Sequence, residues 1–243
     1  MIEVKDIKVG FEDKVVLNKV SATFETGKTN LIIGRSGAGK TVLLKSLIGI
    51  FTPQEGEIIF GKDIDLCKLS PKEIKKLRLH IGVLFQGSAL LDSMTVLDNV
   101  LFPLDMFSYK PRIERVEKAL YFIEQVGLEE AIYKYPAEIS GGMMKRCALA
   151  RALVNDPDYL FCDEPNSGLD PQTGAQIDEL ISKLTHQFGI TTVINTHDMN
   201  SLRNIGEHIV YLHKGKVEWS GSYEEIEHSD NELLSTFVES AID

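Results

Sequence analysis

The sequence predicts an α/β fold in which a parallel sheet carries an antiparallel β subdomain and an inserted α-helical subdomain. Three observations point to it. Gly34-Arg35-Ser36-Gly37-Ala38-Gly39-Lys40-Thr41 lies between the apolar run Asn30-Leu31-Ile32-Ile33 and a helix pattern that continues through Val42 to Ile48. Two continuous apolar runs, Tyr159 to Cys162 and Thr191 to Asn195, flank a helical pattern from Pro171 to about Phe188. Runs of that kind with a crossover helix indicate a parallel sheet buried on both faces. Between them and the amino-terminal part, the stretch from Gln86 to about Asp156 reads as helices joined by short loops, with no core strand.

Taken in order, Ile2 to Val9 and Val15 to Phe24 alternate apolar and polar residues, as half-buried antiparallel strands do. The turn between them, Gly10 to Lys14, holds a lone aromatic, Phe11, which could stack on a base or cap the small sheet. The glycine-rich octapeptide then fits G-x-x-x-x-G-K-[ST] in a strand–loop–helix setting, the phosphate-binding loop of a P-loop NTPase (RecA-like) core. Gly34, Gly37 and Gly39 let the backbone turn so that successive amides from Gly34 through Arg35, Ser36, Ala38 and onward face phosphate oxygens. The helix beginning near Lys40 adds the positive end of its dipole. Lys40 would reach the β- and γ-phosphates and the Thr41 hydroxyl would bind Mg2+, so a nucleoside triphosphate is the expected ligand.

Further along, Pro53 to Gly56 reads as a turn, Glu57 to Phe60 as a strand, and Ser70-Pro71-Lys72-Glu73 as a capped helix start. Ile81 to Phe85 is a short buried strand ending at Gln86. Thr95 precedes a short helix, and Pro111 to Val126 forms a longer one with Ile113, Val116, Leu120 and Ile123 at helical spacing, stopped by Gly127. Ser140-Gly141-Gly142-Met143 opens the helix Met144 to Val154, as an anion site or an ordinary serine cap. Asp163-Glu164 follows the apolar strand directly, which sets the pair beside the phosphate loop where open α/β sheets bind ligands. There Asp163 can hold Mg2+ through water and Glu164 can polarise the water that attacks the γ-phosphate. Ile209 to Leu212, a turn at Lys214-Gly215, and Val217 to Trp219 read as a closing hairpin. The tail from Tyr223 is helical and acidic, with Leu233, Leu234, Phe237 and Val238 on one side.

The 243 residues suffice for one large domain, and a net charge of −10 argues against a nucleic-acid-binding surface. No run is long and apolar enough to cross a bilayer and the amino terminus has no signal-peptide core, which suggests a cytoplasmic chain. Cys67, Cys147 and Cys162 are far apart and without C-x-x-C spacing, as expected of reduced thiols. His80, His186, His208, His213 and His228 show no ligand-spaced cluster.

Over essentially its full length the chain resembles the ATP-binding subunits of ABC transporters, with six motifs in the family's order. Gly34 to Thr41 matches Walker A, Gln86 the Q-loop, and Ile139 to Met143 the signature; Leu160 to Glu164 matches Walker B, Ser167 to Asp170 the D-loop, and His197 the switch histidine. The resemblance implies the ABC ATPase fold, with one domain over 1–243. Its core would be 1–86 and 157–222, its helical signature subdomain 87–156, and its tail 223–243. It implies two copies sandwiching two ATP molecules, the signature residues Ser140, Gly141 and Gly142 of one copy closing on nucleotide held by the other. It further implies nucleotide contacts from Phe11 and from Asp170 of the D-loop, a Gln86 that binds the metal and links it to the helical subdomain, and a His197 touching the γ-phosphate. Glu164, His197 and Lys40 would then carry catalysis, with Thr41, Gln86 and Asp163 at the metal. Three departures stand out: Met143 where most relatives have glutamine, Val42 in place of a common hydroxyl residue, and Asn166 where threonine is usual. The Val42 amide is retained in the phosphate cradle.

Within the family, the S-G-G-M signature, Phe85 to Leu91 and Asp98 to Leu104 look like the MlaF-type ATPases of MCE phospholipid transport systems. That likeness implies a MlaE-like membrane permease and an MCE-domain lipid-binding protein as partners. It places the chain peripherally on the cytoplasmic face of the inner membrane, touching the membrane only through the permease. Methionine-importer ATPases, which carry glutamine at the Met143 position, are the alternative, and a soluble ABC scaffold of iron–sulfur assembly is a further one. Ser88 to Asp105 is expected to form the groove that receives a permease helix, on the strength of Leu90, Leu91, Met94 and Phe107.

Overall fold

A computed structural model describes residues 1–12, 14–226 and 228–239. Asp13 of the first turn, residue 227 and the last four residues of the tail lie outside that set. The chain runs β1 (Ile2–Phe11), β2 (Lys14–Phe24), β3 (Thr29–Ile33), α1 (Lys40–Leu47), β4 (Glu55–Phe60), β5 (Ile64–Asp65), α2 (Pro71–Arg78) and β6 (Ile81–Leu84). It continues through α3 (Val96–Phe107), α4 (Arg112–Gln125), α5 (Gly141–Leu153), β7 (Tyr159–Asp163), α6 (Pro171–Phe188) and β8 (Thr191–Asn195). The last elements are α7 (Met199–Ile205), β9 (His208–His213), β10 (Lys216–Gly221), α8 (Tyr223–Ile226) and α9 (Glu232–Glu239).

Two sheets form. An antiparallel one has the order β2-β1-β4-β5, and a six-stranded one the order β10-β9-β3-β8-β7-β6. Within the second, β6, β7, β8, β3 and β9 are mutually parallel and β10 returns antiparallel along β9. The period-2 geometry of these strands divides their side chains between two cores. Ile32, Phe161, Val193, Val210 and Leu212 join Leu43, Leu44 and Leu47 of α1 and the inner face of the antiparallel sheet. Leu31, Ile33, Leu160, Cys162, Ile194 and Ile209 face the other way, against α3 to α6. Both faces are therefore covered, as the continuous apolar runs require.

The alternation in β1 and β2 breaks where the backbone bulges. Ile2 and Val4 are buried, and so are Ile7 and Val9, a switch of parity across Lys5-Asp6. Asp6 has φ 48° and the register with β2 shifts between Val4 and Ile7. Lys19, φ 52°, does the same between the buried Leu17 and Val20. Each extra residue bends the ribbon and restores the inward face beyond it.

α4 departs from expectation. Its buried residues are Ala119, Phe122 and Ile123, while Ile113 is 69% and Leu120 38% exposed. The core-facing side lies about a quarter turn from the stripe of large aliphatics, because the small Ala119 admits close approach and Phe122 fills the space beside Phe188, ring centroids 5.5 Å apart. α3 is also longer than expected, running through Pro103 to Phe107 after the Thr95 capping box. The tail packs α9 on the sheet edge through Leu234 and Phe237, the latter 5.3 Å from the Tyr211 ring. Tyr211 Oη donates to the Leu233 carbonyl at 3.2 Å, whereas the Leu233 side chain, on the same apolar stripe as Leu234 and Phe237 in sequence, is exposed.

A surface groove of about 740 Å³ lies between α2, β6 and α3, lined among others by Leu79, Val83, Phe85, Leu91, Phe102 and Phe107. Of the residues expected to form it, Leu90 packs instead against the core and Met94 is not among its lining residues. Asn99, buried in α3, shapes the loop above it: its side-chain oxygen accepts from Leu91 N at 2.8 Å and its amide donates to the carbonyls of Leu91 and Met94. Among the described residues no helix is long and apolar enough to cross a membrane, and no disulfide links Cys67, Cys147 and Cys162.

Candidate active site

β3 delivers the glycine loop to the edge of a cleft of about 590 Å³. Gly34 has φ 148°, and a Cβ there would stand 2.2 Å from the Leu212 carbonyl oxygen, so only glycine fits the close approach to β9. Gly39, φ 108°, caps α1 in the left-handed region, with no side-chain cap and no acid in the first helical turn. The first amides of α1 are thus left to bind an anion. Lys40 is buried, and its Nζ donates to the Gly34 carbonyl at 2.8 Å and to that of Arg35 at 3.4 Å. Burial lowers its pKa, against the pull of the nearby Glu164 and Asp163 carboxylates. Ser36, Gly37, Thr41 and Val42 complete the loop side of the cleft, while Lys14 and Val16 of β2 line it from the antiparallel sheet.

The strands β7 and β8 supply the acidic wall. Asp163 closes β7, buried, with Oδ1 accepting from the Thr41 hydroxyl at 3.4 Å. Glu164, next in the chain, has φ 47°, a conformation uncommon outside glycine, and its N–H donates to the Asn195 carbonyl at 3.1 Å and to Asn195 Oδ1 at 2.9 Å. That backbone turn aims the Glu164 carboxylate into the cleft, where Oε1 lies 3.1 Å from His197 Nδ1. The donor set suits Mg2+: one hydroxyl and one carboxylate face each other beside a phosphate cradle, and Mg2+ is commonly held by one or two carboxylates, substrate phosphates and water. Among the described residues no cluster of three or more His, Cys, Asp or Glu could hold a metal without such help.

A profile of the family described as ABC transporter matches residues 17–167. The chain belongs to the ABC transporter ATP-binding family. It is 38% identical to "Methionine import ATP-binding protein MetN 2" of Enterococcus faecalis, across 100% of this chain and 71% of that one. It is 39% identical to "Probable ribonucleotide transport ATP-binding protein mkl" of Mycobacterium leprae, across 98% of this chain and 68% of that protein. Among solved structures it is similar to the dimeric MJ0796, a bacterial ABC transporter cassette, with a TM-score of 0.81 and 34% identity over 92% of this chain and 99% of that one. A post-hydrolysis dimer of the same cassette, bound to ADP and Pi, matches equally well, with a TM-score of 0.81. The fold is the ABC ATPase cassette, and the chain is an ATPase.

Not every residue with an expected role in this ABC ATPase meets in the cleft. Phe11 sits at the hairpin end, edge-on to Phe51 with centroids 4.9 Å apart, and does not line the cleft. Gln86 donates from Nε2 to Ser167 Oγ at 3.1 Å, toward the D-loop. Ser140 caps α5, accepting from Met143 N at 3.3 Å, and a Cβ on Gly142 would meet Thr173 Cγ2 at 2.6 Å, so the signature turn is seated against the start of α6. Asp170 caps α6 through Thr173 N at 3.0 Å. None of Ser140, Gly141, Gly142 and Asp170 lines the cleft.

Three polar contacts escape the sequence reading. Lys145 of α5 is buried with its pKa lowered by that burial, and its Nζ donates to the Gln86 carbonyl. Asn166 donates from Nδ2 to Asp198 at 3.1 Å, Ser201 at 3.0 Å and Asp178 at 3.3 Å. Asn195 joins Asp163, Thr41 and Glu164. Its only sequence signal is a carboxamide ending a strand whose preceding residues are Val193 and Ile194.

Proposed function

We propose that this chain is the motor subunit of a bacterial phospholipid transporter, hydrolysing MgATP between two copies of itself and driving a membrane permease. In each copy the amides from Gly34 to Val42 cradle the phosphates, Lys40 contacts the β- and γ-phosphates, and Thr41 with Asp163 holds Mg2+, which neutralises phosphate charge when bound. Gln86 adds a ligand and carries the state of the site into the 87–156 subdomain. Glu164 takes the proton of the attacking water, and His197, beside it, contacts the γ-phosphate. Phe11, part-exposed at the end of the β1–β2 hairpin outside the phosphate cleft, would stack on an adenine that extends beyond the cleft, from the 1–86 and 157–222 core.

The pairing of copies is supported by the cleft itself, which Ser140, Gly141, Gly142 and Asp170 of the same chain do not line. A second copy would bring them in, as the dimeric cassette to which this chain is similar suggests. The groove lined by Leu91, Phe102 and Phe107 would take the permease's helix; in that arrangement the chain would sit on the cytoplasmic face of the inner membrane without a membrane contact of its own.

The phospholipid cargo, a MlaE-like permease and an MCE-domain protein rest on one observation, Met143 ending the signature together with the sequence around Gln86 and Asp98. Methionine import is a second reading, favoured by the names of relatives 38% and 37% identical to this chain. Purification of the chain from detergent-solubilised membranes, with lipid analysis of what accompanies it, distinguishes them. A permease and an MCE-domain protein carrying phospholipid are expected. A permease that accompanies a methionine-binding protein instead would overturn the phospholipid reading.

A further inference from the structure

We propose that Asn195 is a positioning residue for the nucleotide–metal site, using its carboxamide to hold the Asp163 carboxylate, the Thr41 hydroxyl and the Glu164 backbone in one arrangement. The side chain is fully buried at the carboxyl end of β8, between the ends of β7 and α1. Its Nδ2 donates to Asp163 Oδ1 at 2.7 Å and to Thr41 Oγ1 at 3.4 Å, while Oδ1 accepts from Glu164 N at 2.9 Å. A carboxamide is the one uncharged side-chain group that offers donors and an acceptor from a single rigid plane, and both ends are used here. The donor end faces the two groups with metal-binding chemistry, and the acceptor end pins the residue that holds φ 47°.

That conformation is itself held from β8. A left-handed glutamate is a strained conformation that persists where surrounding contacts determine it. Glu164 N is held twice by the same residue, once by the Asn195 carbonyl and once by its side chain. An apolar residue at this position would preserve the main-chain bond and lose the other. It would also leave Asp163 Oδ1 without its 2.7 Å donor, free to turn away from Thr41. Groups that orient metal ligands from behind in this way cost roughly 10- to 100-fold in metal affinity or activity when removed.

The inference rests on the MgATP reading of the cleft, and one experiment separates the two. ATP affinity is measured with Mg2+ and with excess chelator, for the wild-type chain, Asn195→Leu (close in volume) and Asn195→Thr (β-branched and suited to a strand). Nucleotide-free unfolding midpoints establish that each variant is folded. In the wild type Mg2+ should tighten ATP binding; if it does not, the metal reading itself fails. In both variants the metal-dependent gain should shrink about tenfold or more, with metal-free affinity within about twofold of wild type and kcat reduced more than KM. If the gain from Mg2+ is unchanged in either folded variant, or affinity falls equally with and without metal, Asn195 is a packing residue and the inference is wrong.

Discussion

Replacing Asp178 by asparagine should stabilise the protein near neutral pH and do little in acid. Asp178 lies on α6, 1% exposed, with Oδ2 accepting from Ser201 Oγ at 2.6 Å and from Asn166 Nδ2 at 3.3 Å. Its Oδ1 is buried without a hydrogen-bond partner among the described residues. Burial, which the Ser201 hydrogen bond offsets only in part and Asp198 reinforces, raises its pKa to about 6. The native state therefore favours the protonated acid. The stability this confers is complete below the unfolded-state pKa and is lost as pH rises through about 6. The displacement from the ordinary aspartate value amounts to about 3 kcal/mol above that pH, an upper bound on the gain from a neutral side chain. Asparagine keeps an oxygen for Ser201 and Asn166 and carries no charge to desolvate. Urea unfolding of both proteins at about pH 4.5 and about pH 7.5 measures the difference. The variant should gain chiefly at the higher pH. A gain of equal size at both, or a larger loss at neutral pH, would refute the account of Asp178 as an acid whose charge is the cost.

Other substitutions test the site and the groove. Glu164→Gln should cut hydrolysis about 100- to 10,000-fold, the range for losing a general base, and accumulate an ATP-bound dimer on size-exclusion chromatography; full turnover would remove Glu164 from that role. Gly34→Ala places a methyl 2.2 Å from the Leu212 carbonyl, and ATP affinity should fall about tenfold for each 1.4 kcal/mol of backbone displacement, read by fluorescent-nucleotide titration. Unaltered affinity would mean the loop relaxes freely. Leu91→Asp and Phe107→Asp, both on exposed groove residues, should abolish co-purification with a permease while leaving the nucleotide-stimulated thermal shift intact; retained binding would move the docking surface elsewhere.

Sequence spacing made the parallel core legible because its signals are local. A glycine loop, a helix start and the apolar runs at Leu31, Leu160 and Val193 are each readable within a few residues. The inward face of α4 was not, since the pattern of large aliphatics ran through Ile113 and Leu120 while the packing chose Ala119 and Phe122. Alanine adds little to an apolar count, yet its small size decides where two helices can touch. The bulges at Asp6 and Lys19 were hidden for a related reason: a left-handed aspartate or lysine leaves no mark of its own, and only the parity of the buried residues on either side betrays it.

The polar wiring of the site lies further beyond local reading. Asp163 and Glu164 announce themselves as acids ending an apolar strand, but Asn195 is 31 residues from Glu164 and 154 from Thr41, and meets them only because β7 and β8 pair in parallel register with Asp163 opposite Asn195. The same register sets Cys162 beside Ile194, one apolar layer below. A strand-end amide acquires its meaning from the residue opposite, and that residue is known once the order of strands is known. Asn166 likewise acquires its partners only in the folded chain. Its carboxamide supplies donors to Asp178, Asp198 and Ser201, the first a buried acid on α6. Asn166 thus ties the loop after Glu164 to the start of α7 just beyond His197, while Asn195, the last residue of β8, ties that strand to Asp163 and to Glu164 N. The placement of Glu164 and His197, the proposed catalytic pair, is in this way tied to two carboxamides whose importance is tertiary in origin.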